Sequence, residues 1–560
     1  MRYPNINNKD FYTNINNIYK KYKIAKSKKS YDNVCNNSSF ELQLPQQFLA
    51  NFINPATPYK GILIFHKIGS GKTCTAIQIA EKWKHIKKII IVLPAALKNN
   101  FRNELRSQCG GNNYLKPDER KILKTLHPLD DKYIDIINKS DDRIDKYYNI
   151  YSYNKFISLL QLNKIKLNNN LLIIDEIQNM ISETGVYYNE LYQAIYNTSK
   201  DLRIVLLTAT PMIDKPQEIA LTLNLLKLET PIPTGINFEK QFLNIKKNNI
   251  TVKNSDKFKS LIKGYISYFK GAPSYLFPKV TIKYVYCVMS KFQYEIYKTI
   301  IKNESKVVQL SSKMSTLPNN FFIGTRMVSN IVFPNKKTND EGLKSLTPEI
   351  IKRKLYIYSI KFYNIINKIL HSKGKIFIYS SFKQFGGIKS LIKILESIGY
   401  RNYMDGGEGK NVFAIWSGDE TQEYKEEIKT IYNNSNNLNG DKIKILLGSP
   451  SIKEGISLTS VRQVHIIEPY WNNARIAQII GRASRLCSHK DLPEDNRTVK
   501  VYIYIAINYH EMQTIDEYIL KLSNNKFKII KQFEQLLKES AIDCYLNSNA
   551  DTAEKIICDT

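Results

Sequence analysis

Short, continuously apolar runs recur along the chain and fall into two series. Gly61 to Phe65 reads Gly-Ile-Leu-Ile-Phe and ends in a glycine-rich turn, after which Thr73 to Trp83 carries apolar residues at helical spacing. A strand, a tight loop and a helix are predicted there. Comparable runs follow at Lys88 to Leu93, Leu171 to Asp175 and Arg203 to Thr208, separated by stretches long enough for crossover helices. The second series begins near Lys375 with Ile-Phe-Ile-Tyr-Ser and continues at Val412 to Trp416, Ile443 to Gly448, Gln463 to Glu468 and Val499 to Ala506. Runs that are apolar at every position, not every second one, belong to parallel strands covered on both faces, so each series predicts an α/β domain.

The pattern changes outside these series. Residues 1–41 are polar and basic, with Lys20, Lys21, Lys23, Lys26, Lys28 and Lys29 in one run and few apolar anchors, which reads as a loosely packed extension with a solvated surface. The first α/β domain is predicted over 42–222 and the second over 357–511. Between them, 223–356 mixes helical and irregular patterns with Pro, Gly and Lys, as an inserted or bridging, partly helical subdomain would. Residues 512–560 form a tail that is helical by spacing from Met512 to Leu546.

At 560 residues the chain exceeds what one core organises, in line with two or three domains. Lys plus Arg number 82 against 51 Asp plus Glu, a net charge of +31. Such a field concentrates polyanions, so nucleic acid is the natural partner. The abundance of Lys, Asn, Ile and Tyr is also what AT-rich codon usage produces, and composition alone leaves those two origins of the basicity open. The 7 cysteines are odd in number, scattered and never spaced as Cys-x-x-Cys, which predicts neither a disulfide framework nor a zinc site and suits a reducing interior. Cys487 and His489 lack a second ligand pair, so no metal is assigned to them. The N-terminus has no apolar signal core and the longest apolar stretches, such as Ile89 to Leu97, are too short to span a bilayer, so a non-secreted protein without a membrane partner is expected.

Chemistry concentrates in three places. In His66-Lys67-Ile68-Gly69-Ser70-Gly71-Lys72-Thr73, glycines let backbone amides approach phosphate oxygens, and the N-terminus of the following helix adds partial positive charge. Lys72 suits the β- and γ-phosphates of ATP, and the Thr73 hydroxyl suits Mg2+. The usual pattern opens with glycine; here His66 takes that place. Asp175 and Glu176 end the run Leu-Leu-Ile-Ile, where a strand's carboxyl edge presents side chains to a crevice. Asp175 reads as the Mg2+ partner and Glu176 as general base or water-orienting group, with Gln178 closing the same Asp-Glu-Ile-Gln segment. Gln478, Arg482 and Arg485 stand at i, i+4 and i+7, so a helix carries all three on one face, either as phosphate-binding forks or as a surface ion-pair helix.

Taken in order, the phosphate loop, Asp-Glu-Ile-Gln, Thr208-Ala209-Thr210-Pro211 and Gln478 to Arg485 resemble the motifs of superfamily 2 helicases and translocases. Within them, the chain resembles the helicase-like NTPases of large cytoplasmic DNA viruses, the group containing poxvirus nucleoside triphosphatase I and the early transcription factor small subunit. Supporting stretches include Lys263 to Gly271, Met289 to Gln293, Tyr379 to Phe382, Glu454 to Leu458, His465 to His489 and Ala541 to Cys544, so the resemblance runs from about Leu42 to Cys544.

This resemblance implies two RecA-like parallel-sheet domains, ATP and Mg2+ as cofactors, and a nucleic-acid-stimulated ATP hydrolase. It implies that Gln46 reads adenine, although Gln47 beside it leaves the register open and a plain helix-surface amide is the other reading. Thr208, Ala209 and Thr210 match the segment that relays nucleotide state. Gly455 matches a position of close backbone approach near the nucleotide. Gln478, Arg482 and Arg485 match the set that meets the γ-phosphate, with Arg485 as arginine finger. Pro94 and Lys98, and Ser449 and Lys453, match segments that grip nucleic-acid phosphates. DNA is the implied polymer and RNA the alternative. A viral-type RNA polymerase or transcription factors are implied partners, in the cytoplasm, a virion or a viral factory. A third reading is a nucleic-acid-binding transcription-complex scaffold whose hydrolysis is secondary.

Overall fold

The computed structural model describes residues 3–25, 30–36, 40–127, 130–181, 185–246, 249–308, 321–453, 456–509, 513–550 and 556–559. Contacts divide the chain into two compact units, one of residues 1–30, 37–274 and 528–560, the other of residues 31–36 and 275–527.

In the first unit, β1 (Gly61–His66), β2 (Lys88–Leu93), β3 (Tyr148–Ser152), β4 (Asn170–Ile174) and β5 (Arg203–Thr208) precede a short antiparallel pair, β6 (Leu243–Lys246) and β7 (Asn249–Val252), and then β8 (Ile266–Phe269). Six of these form a wholly parallel sheet in the order β3-β2-β4-β5-β1-β8. Alternate residues of each strand feed different cores. Leu63, Val92, Leu172, Ile174 and Leu206 pack on one face, and Ile64, Ile91, Ile173, Val205 and Leu207 on the other, all fully buried. That is why the strands read as unbroken apolar runs. Parallel pairing also brings the carboxyl ends of β1, β4 and β5 to one edge of the sheet, so the phosphate loop, Asp175 and the Thr-Ala-Thr segment share that edge.

The second unit contains β9 (Lys279–Val288), β10 (Lys375–Tyr379), β11 (Arg401–Asn402), β12 (Val412–Trp416), β13 (Ile445–Gly448), β14 (Val461–Ile466) and β15 (Thr498–Ile507). They form a parallel seven-stranded sheet in the order β11-β12-β13-β10-β14-β15-β9. Phe377, Val464 and Val501 pack on one face, and Ile376, Ile378 and Leu447 on the other. A buried ion pair ties the unit together. The Lys361 ammonium donates to Asp516 at 2.5 Å, to Asn330 Oδ1 at 2.9 Å and to the Ile467 carbonyl at 3.1 Å.

Four strands of the two parallel sheets fall outside the apolar runs that the sequence predicts. β3 mixes Tyr148, Asn149, Ile150, Tyr151 and Ser152, β8 has four residues, β11 has two, and β9 is an edge strand whose side chains are mostly exposed. β3, β9 and β11 leave most of their residues partly or fully exposed, and β8, though buried throughout, is short and interrupted by Ser267, so none leaves a long apolar run.

Two expectations are overturned. The segment before residue 42 is not loosely packed up to Tyr22. Phe11, Ile15, Tyr19 and Tyr22 follow one helical stripe, and Tyr19 meets the Phe48 ring edge-on at 5.1 Å. The spacing of four anchors, not their number, decides the packing. Lys26, Lys28 and Lys29 lie outside the described residues. The cysteines also form disulfides, Cys35–Cys487, Cys74–Cys109 and Cys544–Cys558, with Cα separations of 5.4, 5.7 and 5.7 Å, while Cys287 is free and buried. Partners lie 452, 35 and 14 residues apart, so chain folding creates the pairs and no local spacing announces them. Among the described residues, no helix is long and apolar enough to cross a membrane.

Candidate functional site

The loop after β1 is built for close backbone approach. Gly69 and Gly71 have φ of 81° and 77°, the left-handed region that favours glycine. A Cβ at Gly71 would lie 2.5 Å from the Gln46 side-chain nitrogen, so no other residue fits without displacing it. The loop is closed by Ser70 N–H donating to the Lys67 carbonyl and is tied to β8 by Lys67 N–H donating to the Phe269 carbonyl. Ile68 lies between these bonds and is half-buried. Lys72 and Thr73 open the helix Lys72–Trp83, and the Lys72 ammonium donates to the His66 carbonyl at 3.2 Å.

Gln46, in the helix Leu44–Phe52, is buried against this loop. Its Nε2 donates to the Gly71 carbonyl at 3.2 Å and its Oε1 accepts from the Gln43 amide at 2.9 Å. Gln47 instead turns to the Leu42 carbonyl. Of the two glutamines, Gln46 is therefore the one that touches the phosphate loop.

His66 is held by a relay that sequence reasoning did not find. Its Nε2 lies 2.8 Å from Ser267 Oγ on β8, and Ser267 donates to Asp543 at 2.7 Å, while Asp543 also accepts from the Tyr268 amide at 2.9 Å. Burial, reinforced by Lys72, lowers His66 to about 3, so the ring stays neutral. Burial raises Asp543 to about 6. Ser267 and Asp543 both lie in stretches that carry the family resemblance, Lys263 to Gly271 and Ala541 to Cys544, which was the available signal.

Asp175 and Glu176 follow β4. Asp175 is pushed up to about 7, first by burial and then by Glu176, against the opposing pull of Lys72. A buried carboxylate left short of positive charge is a good cation ligand, because a cation removes the penalty of ionising it. The Ser70 hydroxyl and His66 Nδ1 are buried without a partner, which also suits a polar guest at the loop. Thr73, half-buried at the helix start, and Asp175 are the residues suited to hold a divalent ion with a nucleotide.

From Glu176 a chain of hydrogen bonds runs to β5. Gln178 Nε2 donates to Glu176 at 2.5 Å, Thr208 Oγ1 donates to Gln178 Oε1 at 2.6 Å, and Thr210 N–H donates to Thr208 Oγ1 at 2.9 Å. Ala209 is buried between the two threonines, and the Thr210 hydroxyl is buried without a partner. Tyr153, just after β3, donates to the Asp175 and Glu176 carbonyls at 2.7 and 3.0 Å. Because β3 lacked an apolar run, nothing in the sequence singled Tyr153 out. Glu218 accepts from the Ile213 and Asp214 amides that follow the Thr-Ala-Thr-Pro turn. Pro94 is buried at the end of β2, and Lys98 opens the helix Lys98–Arg106, half-exposed. The first unit thus gathers Gln46, Lys72, Asp175, Glu176, Gln178 and Thr208 about one sheet edge.

In the second unit, Gln478 and Arg482 lie in the helix Asn473–Ala483, but Arg485 does not. The helix stops at Ser484, whose φ and ψ of −123° and 80° turn the chain, so the expected single helical face holds only Gln478 and Arg482. Arg485 reaches back to the Gly481 carbonyl at 3.2 Å, and Arg482 donates to the Ile456 carbonyl at 3.3 Å. Ser449 is buried just after β13, its hydroxyl 3.2 Å from that of Ser451, and Lys453 ends the short turn Pro450–Lys453. Gly455, with Glu454, lies outside the described residues.

Comparison with known proteins matches the SNF2-related domain to residues 22–343, the helicase conserved C-terminal domain to 361–487 and the nucleoside triphosphatase I C-terminal region to 489–556. A protein of Acanthamoeba polyphaga mimivirus named as an ATP-dependent RNA helicase is 51% identical over 557 residues, spanning 98% of this chain and 97% of that protein. A termination factor NPH-I homolog of African swine fever virus is 27% identical, spanning 88% of this chain and 77% of that protein. Among solved structures, the Pyrococcus furiosus Hef helicase domain aligns at a TM-score of 0.42 and 14% identity, over 85% of this chain and 96% of that one.

Proposed function

Since the chain belongs to the SNF2-related, helicase-type ATPases of large DNA viruses and carries the nucleoside triphosphatase I C-terminal region, we propose that it is a DNA-dependent, ATP-driven translocase acting in cytoplasmic viral transcription. The hydrogen-bonded chain from Glu176 through Gln178 to Thr208 carries this reading, since it links the group suited to orient water with the segment suited to relay nucleotide state. Such a link is what a motor needs and a passive scaffold does not.

Each residue then has a task. The loop amides at 68, 69 and 71 and the Lys72 ammonium bind the phosphates, while the Lys67 and Ser70 amides hold the loop's shape, and Gln46 borders the base. Thr73 and Asp175 would hold Mg2+ together with the nucleotide, and the ion would supply screening of phosphate charge. Glu176, oriented by Gln178, takes the proton from water attacking the γ-phosphorus. Gln478, Arg482 and Arg485 are assigned to charge developing on the γ-phosphate. Pro94, Lys98, Ser449, Lys453 and the basic surface contact the strand through phosphates, without reading sequence. An RNA polymerase or transcription factor of viral type is the proposed partner.

An RNA helicase using the same residues is the second reading, favoured by the name of the mimivirus relative. The scaffold reading is separated by Glu176→Gln. This variant is expected to bind ATP and DNA normally and to turn over at least 100-fold more slowly, by analogy with a lost catalytic base. Unchanged turnover would remove Glu176 from the mechanism, and normal support of transcription by a dead variant would favour the scaffold.

A further inference from the structure

A cavity of about 1220 Å³ opens in the first unit at the amino ends of β1 and β5, the sheet edge opposite the phosphate loop. Six residues of β1 separate the two edges, roughly 20 Å at a strand rise of about 3.3 Å. Its floor is apolar and buried, formed by Tyr59, Leu202, Ile204 and Leu226. Asn5, Asn8 and Asn14 line the wall contributed by the N-terminal segment.

The charge is one-sided. Lys60, Lys200 and Lys227 line the cavity against a single acid, Glu229, whose carboxylate accepts from the Asn7 side chain at 3.0 Å. Among the described residues, none of these lysines belongs to an ion pair. Lys227 donates to the Thr198 carbonyl, and its ammonium is depressed by burial first, then by Lys60, with Asp201 opposing and Lys200 adding to it. Lys60 and Lys200 are exposed and Lys227 is half-buried beside the apolar floor, and an anion among the three would relieve the repulsion that Lys60 and Lys200 exert on Lys227.

We propose that this cavity binds a nucleoside phosphate, free or as the end of a nucleic-acid strand, with the base against Tyr59 and Leu226 and the phosphate on Lys60, Lys200 and Lys227. The volume exceeds that of most single-metabolite pockets and accommodates more than one nucleotide. An aromatic and aliphatic floor suits a base of any identity, amides suit its edge, and lysines suit phosphate. The assignment is independent of the hydrolytic site, since no lining residue belongs to it.

The test uses the full-length chain carrying Lys72→Ala, to weaken phosphate binding at the loop. The probe is a trinucleotide with a 5′-phosphate and a 3′-fluorescein, followed by anisotropy at low salt. Binding is expected, weakened at least tenfold by Lys60→Glu combined with Lys200→Glu, and weakened similarly by Asn14→Trp, which fills the cavity. Displacement by AMP would show that a free nucleotide suffices, and binding that millimolar AMP leaves intact would show that a strand end is the ligand. With Lys72 restored, the Lys60→Glu/Lys200→Glu variant is expected to keep its basal ATP turnover, which checks folding. Affinities that stay within twofold in both cavity variants, or no binding of either ligand, would overturn the proposal.

Discussion

Thr208→Val removes one hydroxyl and almost no volume, and it cuts the chain between Glu176 and the Thr-Ala-Thr segment. The hydroxyl is fully buried, donating to Gln178 Oε1 at 2.6 Å and accepting from Thr210 N–H at 2.9 Å. Valine leaves both partners unsatisfied away from water, at about 1–3 kcal/mol each. If about 2 kcal/mol of that holds Gln178, and through it Glu176, in the productive orientation, the aligned population falls roughly 30-fold. Turnover is expected to fall by about that factor in a coupled ATPase assay, with the KM for ATP within about twofold because Lys72 and the loop are untouched. Thr208→Ser keeps the hydroxyl and is expected to retain most of the rate. A Thr208→Val variant with wild-type turnover, or one that loses activity only through KM, would refute the relay.

Asp543→Ala strands the Ser267 hydroxyl and the Tyr268 amide and releases His66, so the KM for ATP is expected to rise and the melting temperature to fall by several degrees, read by ATPase titration and thermal melts. Burial raises Glu218 from 4.5 to about 7, so the folded chain holds that proton more tightly than the unfolded one. Its contribution to stability is full below pH 4.5 and is lost as pH rises to about 7, so wild type should weaken relative to Glu218→Gln by about 3 kcal/mol across that window in urea titrations. Arg485→Ala is expected to lower turnover by about 10³-fold with nucleotide binding retained, measured as single-turnover hydrolysis beside fluorescent ATP binding.

The sequence was most legible where structure repeats a simple rule. Central strands such as β1, β2, β4 and β5 are buried on both faces, and their unbroken apolar runs announced them. The phosphate loop was equally plain, because close backbone approach demands glycine at 69 and 71. Contacts between distant segments left no local trace. The His66–Ser267–Asp543 relay spans 477 positions, from His66 to Asp543. Tyr153 follows a strand too mixed to notice, and the disulfides join cysteines whose spacing carries no pattern. The position of Arg485 was misread for a different reason. Helical spacing persisted past Ala483, while the backbone turned at Ser484.

ATP turnover measured side by side with single-stranded DNA, duplex DNA and RNA, at one stated salt concentration, tests the central claim most directly. The account predicts at least tenfold stimulation by DNA and a weaker response to RNA. Equal turnover with and without any polymer would contradict a nucleic-acid motor, and stimulation by RNA alone would contradict the DNA assignment.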